Sequence, residues 1–175
     1  MRDPIDFIID RLRERDMEEI FEMGLNLDQV SRVMHAGHAF AQLWCSPVTH
    51  DPACMMWFQR LSPRALIVNM LATDAFDHVA RQVYRDVKRT ILPHLLQRGF
   101  ERAECRTMEG HDDAIRFLDH LGFKREARFP RYGQSGRAFL QYAWSLDDHF
   151  HEGTAPFEQS FPQRPRRGAR ANGQI

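Results

Sequence analysis

The sequence predicts an α/β domain: a mixed central sheet of about seven strands, flanked by about four helices and followed by an extended C-terminal arm. Three observations carry this. Apolar runs of strand length and runs of helical spacing alternate from Ile5 to Leu146. One long segment, His78–Arg98, repeats Val79, Val83, Val87, Ile91 and Leu95 at every fourth position, the spacing of a buried helix face. Beyond Leu146 the composition shifts to proline, glycine and arginine. The domain is therefore set at 1–146 and the arm at 147–175.

Taken in order, Ile5-Asp-Phe-Ile-Ile9 reads as a short strand. Asp16 followed by Glu19 reads as a helix start, one carboxylate capping free amides and the other reaching back. Met17, Ile20, Phe21 and Met23 follow, and Gly24 ends the helix. Leu27, Val30, Val33 and Met34 form a second short helix with Asp28 near its start and Gly37 at its end. Ala39–Trp44, Cys54–Leu61 and Ala65–Ala72 read as three strands, broken by Asp51-Pro52 and Ser62-Pro63. The long helix ends at Gly99, and Pro93 removes one backbone hydrogen bond and kinks its last turns. Arg102–Thr107 is a strand, and His111–Leu121 a helix with Ala114, Ile115, Leu118 and Leu121 on one face. Lys124–Phe129 and Ala138–Leu146 are strands joined by the hairpin sequence PRYGQSG.

Composition narrows the function classes. The 24 basic and 24 acidic side chains balance. That argues against a dedicated nucleic-acid binder, and leaves the arm as the one place for such contact. It also removes one defence against self-association. No run of about 18 apolar residues occurs, so no membrane span is expected. Met1–Asp10 carries acids and a proline, unlike a signal peptide. Cys45, Cys54 and Cys105 form no CxxC pair and read as buried thiols in a reducing, cytoplasmic compartment. His35 with His38, and His149 with His151, have ligand-like spacing but no cysteine or carboxylate cluster to complete a metal site, so none is expected.

One stretch is specific. His111-Asp-Asp-Ala-Ile-Arg-Phe-Leu-Asp-His-Leu-Gly-Phe123, followed by Lys-Arg-Glu-Ala-Arg, resembles the penultimate helix and strand of the GNAT (Gcn5-related N-acetyltransferase) superfamily, N-x-x-A-x-x-x-Y-x-x-x-G-F. The element order over residues 5–146 is also similar to that family's. The resemblance implies a cleft where two central parallel strands splay apart and acetyl-CoA lies, its pyrophosphate on free amides at the start of the long helix. It would assign Leu71, Ala72, Thr73, His78, Val79 and Arg81 to the cofactor. Glu104 or His111 would steer protons as an amine attacks the thioester.

The same resemblance exposes departures. The family loop Q/R-x-x-G-x-G/A falls on Thr73-Asp-Ala-Phe-Asp-His-Val-Ala-Arg81, which has no glycine. Asp74 and Asp77 sit where phosphates would go, and like charges at about 4–5 Å cost a few kcal/mol. The bland reading is that both acids cap the helix. The family's asparagine falls on His111, and its proton-donating tyrosine on Leu118, which has no proton to give. Glu104 is either a base or a surface glutamate. His111 is either an acid/base or a capping or surface histidine.

These departures predict a degenerate acetyl-CoA site: no catalytic or cofactor-binding residue, and no cofactor. The chain then reads as a structural or accessory component of an assembly, in the style of small phage-encoded GNAT-like proteins carried in the virion. Protein partners would be met by the arm through Arg164, Arg166, Arg167 and Arg170. The alternative is an active N-acetyltransferase that uses acetyl-CoA through an unusual site.

Overall fold

The computed structural model describes residues 3–36 and 40–146. The C-terminal arm and its four arginines lie outside the described residues.

The first element is a helix, not the expected strand. α1 (Pro4–Ile9) starts with proline at its first turn, and the Asp3 side chain accepts from the Ile5 amide. Proline preorganises a helix start because its missing N–H is one of the unpaired donors there. Ile5, Ile8, Ile9 and Leu12 then fall at helical spacing on one buried side. α2 (Glu14–Glu22) begins two residues before the expected capping aspartate, with Arg13 at the N-cap and no side-chain cap. α3 (Leu27–His35) carries the capping box instead, made by Asn26 and Gln29.

Among the described residues six strands follow where about seven strands were expected: β1 (Phe40–Cys45), β2 (Pro52–Arg60), β3 (Ala65–Ala72), β4 (Arg102–Met108), β5 (Lys124–Phe129) and β6 (Phe139–Ser145). The sheet order is β1-β2-β3-β4-β6-β5, antiparallel except for β3 and β4. That one parallel pair needs a long crossover. The crossover is α4 (Phe76–Asp86), a π-helical turn at Val87–Ile91, and α5 (Leu92–Gln97). The π-turn ends two residues before Pro93, and the Leu92 amide reaches back five residues to the Val87 carbonyl. The expected kink thus takes the form of one widened turn.

α6 (Asp112–Leu121) closes on Gly122, at φ 87°, where a side chain would be strained. The Phe123 amide bonds the Leu118 carbonyl, and Phe123 enters the core at the start of β5. Lys88 Nζ donates to the Leu121 carbonyl at 3.1 Å, satisfying another group at this helix end.

Two apolar layers cover the sheet. Cys54, Met56 and Phe58 of β2 face α4, α5 and α6. Met55 and Trp57, alternating with them, face α1–α3.

Candidate functional site

β3 and β4 pair only over Ala65–Ile67 and Arg102–Glu104. Beyond Ile67 and Glu104 the strands part, and a cleft of about 440 Å³ opens between Val68–Leu71 and Cys105–Thr107. It reaches through the sheet, with walls from Met56, Phe58, Phe117 and Leu118 on one side and from Ile20, Val30 and Trp57 on the other.

Helix α2 closes the far end of this gap. Asp16 and Glu19 lie one helical turn apart and face the sheet. Asp16 Oδ2 accepts from the Ala72 amide at 2.9 Å, at the end of β3. Glu19 Oε2 accepts from the Met108 amide at 3.0 Å and from Thr107 Oγ1 at 2.8 Å, at the end of β4. One helix therefore holds the diverging strand ends by a carboxylate each.

The hydrogen-bond pattern shows which edge Asp16 occupies. The Thr73 amide donates to Ala53 of β2. Successive residues of a strand turn their backbone groups to opposite sides. Ala72 thus presents its amide and carbonyl toward the gap. Its carbonyl accepts from the Arg13 amide at 3.0 Å, and Leu12 bridges to Thr73. The end of β3 is occupied by the chain's own residues 12–16.

His111 lies between the two carboxylates, Nδ1 at 3.0 Å from Glu19 and Nε2 at 3.6 Å from Asp16. It is buried, with 4% exposure. It stands at the N-cap of α6 yet makes no side-chain cap there. Neither the capping nor the surface reading of His111 survives. Arg13 grips Asp16 through two nitrogens and lays its guanidinium 4.9 Å over the Phe76 ring. Burial pushes the Asp16 carboxyl above its ordinary value, against the opposing pull of Arg13, the Ala72 amide and His111.

The start of α4 is similarly filled. The Ala75 amide reaches Thr73 Oγ1 at 3.3 Å, the Phe76 amide the Thr73 carbonyl at 3.0 Å, and the His78 amide the Ala75 carbonyl at 3.0 Å. Phe76 is buried edge-on against Phe117, ring centroids 5.4 Å apart. Asp74 and Asp77 are exposed, and no side chain caps this helix. The expectation that these acids cap it is corrected: Thr73 does part of that work.

The remaining candidates fall as follows. Leu71 lines the cleft, whereas Ala72, Thr73, His78, Val79 and Arg81 do not. Val79 is fully buried in the core, and His78 is exposed, Nδ1 3.4 Å from Ser46 Oγ. Glu104 lines the cleft, bonded to Arg102 at 2.6 Å and to Gln141 at 3.2 Å. It is a partly buried member of a polar row, not a free surface glutamate. Leu118 also lines the cleft, so the place of the family's tyrosine is within the site but carries no proton. His35 groups with Asp3 and Asp6, their ligand atoms within 4.8 Å of one another and all exposed. His38, His149 and His151 lie outside the described residues. The sequence reading missed Asp16 and Glu19 as site residues.

Chemically, the arrangement offers a closed polar bracket and an apolar hollow. The bracket's donors are used within the chain, and those on Glu19 all meet Oε2. At the start of α4, the amides of Ala75, Phe76 and His78 are already bonded. A pyrophosphate placed there would have to displace those bonds beside two aspartates.

No family model matches this sequence, and no curated protein matches it. Solved structures do. A GNAT-family acetyltransferase from Bacillus anthracis superposes with a TM-score of 0.60 at 10% identity, over 82% of this chain and 89% of that one. A spermidine N-acetyltransferase from Vibrio cholerae gives 0.57 at 9% identity, over 84% and 92%. A ribosomal-protein-S5-alanine acetyltransferase from Vibrio fischeri gives 0.53 at 16%, over 70% and 69%. The fold is that of the GNAT acetyltransferases. At these identities the likeness concerns the fold alone.

Proposed function

We propose that this chain uses a GNAT-like fold without its coenzyme chemistry, as a structural or accessory component of an assembly such as a phage particle. The observation that carries the reading is the bond from the Ala72 amide to Asp16. It takes the Ala72 end of the strand edge on which the resemblance would lay the coenzyme. The bonded amides at the start of α4, the two exposed aspartates and Leu118 in place of a proton donor support the same conclusion. A rigid domain whose coenzyme edge is taken at Ala72 fits a role in which contacts, not turnover, matter.

In this reading the arm from Asp147 to Ile175 meets protein partners through Arg164, Arg166, Arg167 and Arg170. Its deletion should leave the domain folded, because the core lies within the described residues. The truncated chain should then fail to join its complex. Normal incorporation would sink the assembly role.

The second reading is an active N-acetyltransferase, and the open cleft beside Glu104, Glu19 and His111 favours it. Thermal unfolding with acetyl-CoA separates the two. A saturable rise in Tm at micromolar coenzyme supports the transferase, and an unchanged Tm supports the accessory role.

A further inference from the structure

We propose that Asp3, Asp6 and His35 bind one divalent transition-metal ion of the zinc type, which clips the start of α1 to the end of α3. None of the three lines the cleft, so the site stands whether or not coenzyme binds there.

The fold, and not the spacing in sequence, brings the set together. Asp3 caps α1 and Asp6 stands in its first turn, whereas His35 is the last residue of α3. Ile5, Ile8 and Ile9 of α1 share one apolar cluster with Val30 and Met34 of α3, which holds the two helix ends side by side. One ligand atom from each of the three lies within 4.8 Å of the others, the only such group of three or more among the described residues. In sequence His35 has His38 near it and no carboxylate to complete a site; the carboxylates come from α1.

The hydrogen bonds leave the right atoms for a cation. His35 Nδ1 lies 2.8 Å from the Ser31 carbonyl oxygen, with Ser31 Oγ at 3.4 Å. A carbonyl has no proton, so Nδ1 donates, and in the neutral ring Nε2 carries the lone pair. That is the tautomer of a metal-bound histidine, whose other nitrogen is fixed by a carbonyl or carboxylate. Asp3 is fixed in the same way. Its Oδ1 accepts from the Ile5 amide at 2.7 Å, and its Oδ2 stands 3.7 Å from His35 Nε2. A lone pair and two carboxylates thus meet at the C-terminal end of α3, where the helix dipole is also negative. A bound cation relieves that repulsion.

The donor set selects the ion. One imidazole with two carboxylates suits zinc and its neighbours, whereas magnesium and calcium take oxygen ligands. Zinc bonds of about 2.0–2.2 Å set tetrahedral ligand atoms about 3.3 Å apart. The Asp3–His35 separation is already near that, and all three side chains are exposed and free to rotate inward. Three protein ligands leave the fourth position to water. The ion would steady the helix whose continuation, Leu12 and Arg13, holds the end of β3.

Calorimetry of the full chain, stripped with chelator and titrated with zinc, tests this. One saturable site per chain is expected. Asp3→Asn, Asp6→Asn and His35→Gln should each weaken it about tenfold or more. Asparagine caps a helix as well as aspartate, so Asp3→Asn keeps the start of α1 and removes only the ligand charge. Cys45→Ser, and His149→Ala with His151→Ala, should leave zinc affinity within about twofold of the parent. Magnesium at the same concentrations should give no saturable heat. No zinc uptake, affinity unmoved by the three ligand variants, or an equal response to magnesium overturns the proposal. Loss on His38→Ala without loss on Asp6→Asn assigns the ion to a histidine pair and overturns it too.

Discussion

Asp16 accepts the amide proton of Ala72 across 56 residues of sequence, at 2.9 Å and out of contact with water. This bond fastens α2 to the end of β3, and Glu19 repeats it on β4. A buried acceptor that is removed leaves its donors unpaired, which costs more than the bond itself contributes.

Asp16→Ala should therefore destabilise the fold by about 2–3 kcal/mol, since it strands the Ala72 amide and the Arg13 guanidinium together. Asp16→Asn, which keeps an acceptor for the amide, should cost less. Urea unfolding of both variants measures this. Equal loss in both would mean that the amide bond is not what matters.

Glu19→Ala frees three donors: Thr107 Oγ1, the Met108 amide and His111 Nδ1. The expected loss is about 3 kcal/mol. Protection of the Met108 amide in hydrogen exchange should fall with it, while amides of the β2–β3 ladder stay protected. A uniform loss across the sheet would contradict a local bracket.

The pH dependence has a definite sign at Asp16. Burial raises its folded pKa above the ordinary 3.8, so the folded state binds the proton more tightly than the unfolded one. By linkage, this group's contribution makes stability fall as pH rises from about 3.8 through the raised value, and it levels off above. The Asp16→Asn chain should lack that component. Urea midpoints of both chains across this window, subtracted, isolate it. A difference of opposite slope would exclude the assignment.

The thiols should divide. Burial pushes Cys54 and Cys105 up to about 12, while Cys45, expected to be buried like them, is exposed at the end of β1. An aromatic disulfide reagent at pH 8 should titrate one thiol quickly and the other two only on unfolding. Three fast thiols would mean that the sheet core is open.

Part of the sheet was legible because Ala65–Ala72 is an apolar run, and Lys124–Phe129, mostly charged, because it follows the Gly122-Phe123 pair that ends a helix. Ala65–Ala72 and Lys124–Phe129 fall where they were expected. Ile5–Ile9 misled because a five-residue apolar run fits either state; Asp3 and Pro4, the cap and the first-turn proline, were the signal for a helix. The site was less legible for one physical cause. Asp16 and Glu19 have the spacing of a capping pair, and nothing local shows that their partners are amides in distant strands. The same long-range contact buries His111, which sequence alone leaves at a helix start. Leu118 and the absent glycines were readable, because they are identities and not contacts.

Isothermal calorimetry of the full chain with acetyl-CoA tests the central claim most directly. The account predicts no saturable heat up to about millimolar coenzyme, because the end of β3 and three amides at the start of α4 are already bonded. A saturable isotherm with a micromolar Kd would contradict it, and would make this chain a coenzyme-binding member of the fold that it shares.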